Sequence, residues 1–205
     1  LIAQYMIKNV PPQCDPLGEQ NQLIFCLGIF AGTSFTTAHR LSVGGKSPLT
    51  GGIKESNVGG YAGTLLAEQG IKMIILRGLP EKEGPSLLHI DSSGKAELLD
   101  AAEYKGMGNY DLREKLAGRF GEKVATITIG SAGEMGYRSA SIHVSEFGAG
   151  HPSRAAARGG LGAVMGSKGL KAIVVEKPTE RFKVEYADEG KFRETCTLVN
   201  KVIAQ

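Results

Sequence analysis

The stretch GGYAGTLLAEQGIKMIILRG, residues 59–78, has a second version further along the chain, GGLGAVMGSKGLKAIVVEK, residues 159–177. Each opens on a glycine pair and runs through a short helix-forming segment. Each then reaches Gly70-Ile71-Lys72 or Gly169-Leu170-Lys171, followed by an apolar strand, Ile74-Ile75-Leu76 or Ile173-Val174-Val175. A unit repeated in this way predicts two related halves about a pseudo-two-fold axis. Both helical segments can begin at the glycine pair, which leaves unpaired N–H groups at a helix N-terminus, a ready anion site. Two such cradles predict two phosphate groups, or one ligand with two phosphate arms.

The glycines around these stretches support a ligand reading. Gly44, Gly45, Gly51, Gly52, Gly59, Gly60 and Gly63 form one cluster, and Gly148, Gly150, Gly159, Gly160, Gly162, Gly166 and Gly169 another. The chain has 29 glycines in 205 residues, about twice the usual ~7%. They follow no three-residue period and are bordered by apolar strands, so collagen and low-complexity readings fail. Clustered glycine framed by strands lets a backbone approach something closely or take positive φ.

Composition excludes several classes. Apolar residues make up 41% and the net charge is only +3, which argues for a buried core and against a nucleic-acid protein driven by bulk charge. No apolar run approaches the ~20 residues of a membrane span, and no signal peptide opens the sequence. Cys14, Cys26 and Cys196 are odd in number and widely spaced, which speaks against a disulfide scaffold or a zinc finger.

Residues 1–10 read as a helix stopped by Pro11-Pro12, and Gln22 to Leu27 as a buried strand. The start in a helical pattern without Met predicts the middle of a longer protein. Ala31 to Val43 is rich in Ser and Thr, and Lys46 to Gly51 is turn chemistry. Leu87–Asp91 and Ala96–Leu99 predict a hairpin turned at Ser92-Ser93-Gly94. A helix is expected over Asp111–Phe120, a strand over Val124–Ile129, a loop over Gly130–Glu134 and a strand over Ser139–Val144. After Pro178 the composition turns charged, and Asp188–Ile203 carries a helical pattern. The expected division is a domain over 1–176, then a linker and the start of a helical second domain over 177–205.

Gly44-Gly45-Lys46-Ser47 lacks the earlier glycine of a phosphate-binding loop, since Arg40 stands there. Gly148-Ala149-Gly150 fails as a dinucleotide fingerprint because Pro152 and Ser153 follow. Arg40, Arg154 and Arg158 adjoin the glycine clusters, where guanidinium groups can fork onto phosphate. Asn57 can cap the following helix or turn its carbonyl to a cation. His89 and His143 read as structural, while His39 and His151 lie in loops near the cradles. Glu134 reads as a turn or salt-bridge residue more than as an acid/base group, and no catalytic set emerges.

The segments Ala31-Gly32-Thr33-Ser34, the segment around Arg40, Lys46-Ser47-Pro48-Leu49-Thr50-Gly51, Asn57-Val58-Gly59-Gly60-Tyr61, Ile129-Gly130-Ser131-Ala132-Gly133-Glu134 and the run Arg154 to Lys168 follow one another in an order and spacing that resembles the N-terminal domain of the tungsten-containing aldehyde:ferredoxin oxidoreductases, over roughly residues 1–176. The resemblance implies an α+β fold of two β-sheets about a pseudo-two-fold, with short helices, forming the base for a bis-pterin tungsten cofactor, with molybdenum as the alternative metal. It implies that Arg40 lies between one pterin and an iron–sulfur cluster. Asn57 and Ala155 would hold Mg2+ through backbone carbonyls, with Gly59, Arg154, Ala156 and Ala157 at neighbouring pterin contacts. The [4Fe–4S] cluster and the acid/base residues belong to later domains, so no catalytic residue is assigned here. Two departures are Thr36-Thr37-Ala38-His39, where the family commonly has glycine, and Ala157 in place of glycine.

The implied activity is oxidation of an aldehyde to a carboxylic acid, with ferredoxin as electron acceptor, in the cytoplasm. Another carbonyl or an aromatic thioester is the alternative substrate, and neither nucleic acid nor membrane is an expected partner. A stand-alone phosphate-ligand binding or assembly domain is the non-catalytic alternative, and a nucleotide-dependent oxidoreductase the runner-up enzyme. The family's opening strands precede Leu1, so open sheet edges and self-association, up to a homo-oligomer, are expected of this stretch by itself.

Overall fold

A computed structural model describes residues 1–147 and 150–205. Gly148 and Ala149, part of the second glycine cluster and of the rejected fingerprint, lie outside the described residues. The chain forms helix α1 (Ile2–Asn9), strands β1 (Leu23–Leu27), β2 (Leu41–Lys46) and β3 (Ile53–Val58), helix α2 (Ala62–Glu68) and strand β4 (Met73–Leu76). It continues through β5 (Ser86–Ile90), β6 (Ala96–Asp100), α3 (Asn109–Phe120), β7 (Ala125–Thr128), α4 (Ser131–Glu134), β8 (Ile142–Val144), β9 (Arg154–Ala156), α5 (Leu161–Ser167), β10 (Leu170–Val175) and α6 (Glu189–Ile203).

Two sheets result, as expected: a four-stranded one in the order β3-β2-β1-β4 and a six-stranded one in the order β6-β5-β10-β7-β8-β9. The strand order of the first recurs within the second. β1-β2-β3-α2-β4 gives the spatial order 3-2-1-4, and β7-β8-β9-α5-β10 gives 9-8-7-10, with every neighbouring pair antiparallel. Register makes the equivalence residue by residue. One row across the first sheet reads Met73, Cys26, Ser42, Asn57, and the row in the second reads Ala172, Thr128, His143, Ala155. Met73 and Ala172 each follow the lysine of the repeated Gly-(Ile/Leu)-Lys. The Leu27 amide donates to the Lys72 carbonyl at 3.0 Å, and the Ile129 amide to the Lys171 carbonyl at 3.1 Å.

The halves hold each other reciprocally. α2 packs on β7 and β10 of the other half, α5 packs on β1 and β2, and the edge strands β3 and β9 meet. Leu23, Phe25, Leu27, Leu65 and Leu66 share one core with Ile127, Ile142, Leu161, Val164 and Ile173, each buried side chain contributing about 1.5–3 kcal/mol. A glycine in each helix lets it lie close against the backbone that leads into β2 or β8 of its own half. A Cβ on Gly63 would overlap the His39 carbonyl oxygen, and one on Gly162 would overlap that of Ser141. The other two early helices pack differently, α1 on β2 and β3 and α3 on β7. Ile2 and Met6 share a buried cluster with Ile24 and Cys26 of β1, and Leu112 and Leu116 share one with Ala172 and Val174 of β10.

The structure corrects several expectations. β2 and β3 occupy segments read as Ser/Thr-rich loop, turn and glycine cluster. The turn chemistry itself holds: the Ser47 hydroxyl accepts from the Leu49 and Thr50 amides at 3.2 and 3.1 Å. Gly130–Glu134 is not only a loop, since Ser131–Glu134 winds into one helical turn, α4. The strand expected from Ser139 starts at Ile142. The hairpin β5–β6 and the helix α6 stand where the pattern put them. Asp188 caps α6 by accepting from the Lys191 amide at 2.9 Å.

Candidate functional site

The line where β3 meets β9 gathers the residues singled out above. Asn57 on β3 and Ala155 on β9 occupy the same position in the two rows of register, so the two expected cation-holding residues are structural equivalents on facing edges. Arg40, just ahead of β2, folds onto Asn57. Its Nη2 donates to the Asn57 backbone oxygen at 3.3 Å, and its Nε donates to the Asn57 side-chain oxygen. The Asn57 amide nitrogen donates to the Ser42 hydroxyl at 3.2 Å, so its side chain is engaged along the sheet and does not cap α2. Gly59 lies under the same guanidinium, where a Cβ would stand 3.5 Å from Nη1.

On the β9 side, Arg154 is exposed and its Nε pairs with Glu146 at 3.0 Å. Ala155 lies opposite His143, Ala156 is buried opposite Ile142, and Ala157 and Arg158 are exposed. Lys54, which sequence reasoning missed, crosses from β3 so that its Cβ would lie 3.1 Å from a Cβ placed on Gly159. The only available signal was its place three residues before Asn57. The Ser47 hydroxyl donates to the Gly159 carbonyl at 2.7 Å and ties the two halves beneath the site.

The helix-start donors are less free than expected. The Tyr61 amide donates to the Ser145 carbonyl at 2.8 Å, the Gly162 amide to the Ala140 carbonyl at 3.0 Å, and Gly159 and Gly160 are buried. What faces outward is therefore side-chain cation, from Arg40, Arg154 and Arg158, together with edge-strand backbone. Burial, with Glu68 adding to it, pushes the Tyr61 hydroxyl up, so it stays protonated at neutral pH.

The remaining candidates settle into structural contacts. His39 Nδ1 accepts from the Gly32 amide at 3.4 Å. His143 lies 2.9 Å from the Ser141 hydroxyl and 3.0 Å from the Pro152 carbonyl, and His89 lies 2.9 Å from Glu176. His151 sits 6.1 Å from the Tyr110 ring, ring centre to ring centre. Glu134 forms a buried ion pair with Lys171 at 2.7 Å. Lys46 donates to the Cys14 carbonyl at 2.6 Å, away from any phosphate loop. Thr37, in the segment where glycine was expected, is the sole non-glycine at positive φ among the described residues, at +58°, a strained setting for a β-branched residue.

The donor set suits the expected group. Backbone carbonyls on two facing edges are hard oxygen donors of the kind Mg2+ takes, and nearby guanidinium groups suit phosphate. Among the described residues, no three or more His, Cys, Asp or Glu side chains gather in a metal-holding cluster, and no helix is long and apolar enough to cross a membrane.

Comparisons with known proteins bear on the family and the fold. Residues 1–177 match the family model for the aldehyde ferredoxin oxidoreductase N-terminal domain. The tungsten-containing aldehyde ferredoxin oxidoreductase of Pyrococcus abyssi is 41% identical over 191 residues, which cover 93% of this chain and 30% of the relative. The aliphatic sulfonate oxidoreductase, WOR-like subunit, of Pyrococcus furiosus is 33% identical, over 79% of this chain and 26% of the relative. Among solved structures, the active-site complex BamBC of benzoyl coenzyme A reductase, in complex with 1,5-dienoyl-CoA, superposes with a TM-score of 0.88 at 32% identity, covering 98% of this chain and 29% of the other. The chain thus spans about 30% of the length of the first curated relatives it matches.

Proposed function

The chain belongs to the aldehyde ferredoxin oxidoreductase family, as its N-terminal domain, and from that premise we propose that it is the cofactor-cradling part of a tungsten or molybdenum bis-pterin enzyme that oxidises aldehydes to carboxylic acids and passes the electrons to ferredoxin. The observation that carries this reading is the equivalence of Asn57 and Ala155 on facing edge strands. A ligand with two phosphate arms and one shared cation needs two matching oxygen donors on a pseudo-two-fold, and a duplicated fold supplies them.

When bound, the metal–pterin centre supplies the two-electron change between aldehyde and carboxylate. This chain's residues bind and orient. The carbonyls of Asn57 and Ala155 would hold Mg2+, whose charge offsets the repulsion between the phosphates. Arg154 and Arg158 would offer forked donors to phosphate oxygens. Arg40 would leave Asn57 and turn its charge to the pterin on the side of a [4Fe–4S] cluster held by later domains. Gly59 and Ala157 would keep the floor low enough for planar rings, and Ala156, whose side chain is buried, would contribute backbone only. Residues 177–205 would open the helical second domain.

The test is metal and pterin analysis of the full-length protein, purified without oxygen. The expected result is tungsten or molybdenum with about two pterins per chain, one per half, and magnesium retained. Finding neither metal nor pterin would sink the reading. Aldehyde-dependent reduction of ferredoxin then tests the substrate. The likeness to the benzoyl coenzyme A reductase complex favours one second reading, action on an aromatic thioester, and turnover of a benzoyl thioester in place of aldehydes would decide for it.

A further inference from the structure

Register carries the pseudo-symmetry one step beyond Asn57 and Ala155. Ser42 on β2 pairs with Asn57, and His143 on β8 pairs with Ala155, so Ser42 and His143 are counterparts. Both lie on the face turned away from the shared core, since Leu41, Val43, Ile142 and Val144 take the other face. Two residues earlier, each immediately ahead of its strand, stand Arg40 and Ser141. In the first half that place holds a guanidinium, which only donates. In the second it holds a hydroxyl whose role is set by its neighbour. His143 Nδ1 lies 3.0 Å from the Pro152 carbonyl, which can only accept, so Nδ1 carries the proton. In the neutral ring Nε2 is then the acceptor, and the Ser141 hydroxyl donates to it at 2.9 Å. With its proton committed to the ring, the Ser141 oxygen has only lone pairs left to present. Both side chains are partly exposed, so a group from outside can reach the hydroxyl.

We propose that Ser141, held by His143, seats the second arm of the two-armed ligand by accepting a hydrogen bond from it, in the place where the first half offers the Arg40 guanidinium as donor. This inference rests on the cofactor reading above and adds to it that the two arms are held by unlike chemistry. A fused nitrogen heterocycle carries N–H donors as well as nitrogen and oxygen acceptors, so one copy can turn acceptors to Arg40 and the other an N–H to Ser141. Ser141 is the contact, and His143 is a positioning residue that acts through it by fixing where the hydroxyl proton points. The first half has no such pair. There Ser42 accepts from the Asn57 amide at 3.2 Å, and Asn57 in turn accepts from Arg40.

The test uses the full-length protein, purified without oxygen, with three single substitutions. Two quantities are read: the rate of pterin release on mild warming, followed by fluorescence, and the paramagnetic resonance signal of the bound metal. Ser141→Ala is expected to release pterin about fivefold faster than the parent, the effect of one hydrogen bond between uncharged groups, and to shift the metal signal. Ser141→Thr keeps the hydroxyl and is expected to match the parent. His143→Phe keeps a ring but frees the hydroxyl, and is expected to shift the signal as Ser141→Ala does. A Ser141→Ala protein that matches the parent in both readings would overturn the proposal. So would a Ser141→Thr protein as perturbed as Ser141→Ala, since bulk and not the hydroxyl would then matter. Faster release with an unchanged metal signal and a lowered melting temperature would also overturn it, by reducing the pair to a tie between Pro152 and β8. A parent that holds neither metal nor pterin removes the cofactor reading itself, whereas a loaded parent with an indifferent Ser141→Ala removes only this inference. If His143→Phe does not fold, the two Ser141 variants decide.

Discussion

In the half that ends at Val175, β10 lies between β5 and β7 and all six of its residues are buried. In the half that ends at Leu76, β1 is the only described strand beside β4, whose four residues are half-buried. The two strands follow the same local signal, a glycine, an aliphatic residue and a lysine after a short helix. They share register with their antiparallel neighbours to the residue. Local sequence therefore sets the element and its pairing, and the neighbour on the other side sets how much of it leaves water. The same contrast runs through the site. Asn57 and Ala155 match in register, yet Asn57 carries a side chain that Arg40 grips, and Ala155 presents backbone over a methyl group.

The equivalence is most exposed to failure at the helix contacts. Gly162→Ala adds helix propensity worth about 1 kcal/mol, but its Cβ would fall within 2.8 Å of the backbone carbons of Ala140 and Ser141. Overlap with backbone cannot be relieved by a rotamer change, and the cost of about 3 kcal/mol or more outweighs the gain. Gly63→Ala meets the His39 carbonyl in the mirrored place and is expected to cost a similar amount. Chemical denaturation of each variant checks this. A large loss in one and none in the other would break the symmetry argument.

Those glycines also show what the sequence could tell. The repeat was legible because glycine pair, helix, Gly-X-Lys and apolar strand sit close together in the chain and each is a local signal. β2, β3 and β9 were not. β2 carries Gly44 and Gly45, where α1 lies against the strand, β3 reads Lys54-Glu55-Ser56-Asn57, and β9 is largely alanine. Edge strands gain their order from pairing and from the opposite half, which no local propensity reports. Asn57 is a candidate from its place before the glycine pair and Ala155 only through the family resemblance, while their matching positions emerge only from register. The loss of free amides at Tyr61 and Gly162 was equally hidden, since the acceptors, Ser145 and Ala140, come from the far half or from a preceding loop.

A smaller effect sharpens the contrast in burial. Lys171 is fully buried, paired with Glu134 at 2.7 Å and donating to the Met107 carbonyl at 2.8 Å. Lys72 holds the same place in the first half and is exposed, donating to the Gly28 carbonyl. Lys171→Met leaves a nearly buried carboxylate with the Gly106 amide as its remaining donor and is expected to cost about 3 kcal/mol. Lys72→Met should cost well under about 1 kcal/mol. Adding Glu134→Gln to Lys171→Met should recover most of the loss, because the uncompensated charge is then gone. Equal costs at Lys171 and Lys72 would show that the extra neighbours of β10 do not set the electrostatics.

The smallest effect lies in the turn of the hairpin that only the second half shows. Asp91 Oδ1 accepts from the Ser93 hydroxyl at 2.7 Å, the Ser93 amide at 2.8 Å and the Lys95 amide at 3.1 Å. The Ser93 hydroxyl is the main cause that holds the carboxyl below its ordinary value. Desolvation opposes it, and the two amides and the charge of His89 add to it. A lowered native value means that the ionised turn stabilises the fold above the unfolded carboxylate value of about 3.9. That contribution drains away as pH falls through the lower native value. Asp91→Ala should therefore be less stable than the parent at neutral pH, with a deficit that shrinks as pH drops below about 4. The first half offers the control, because its turn is held by the uncharged Ser47 hydroxyl. Ser47→Ala should lose stability by the same amount at both pH values. Denaturation of both variants and the parent across that range separates the two cases, and a deficit in Asp91→Ala that stays constant into acid would show that shape, and not charge, holds the hairpin turn.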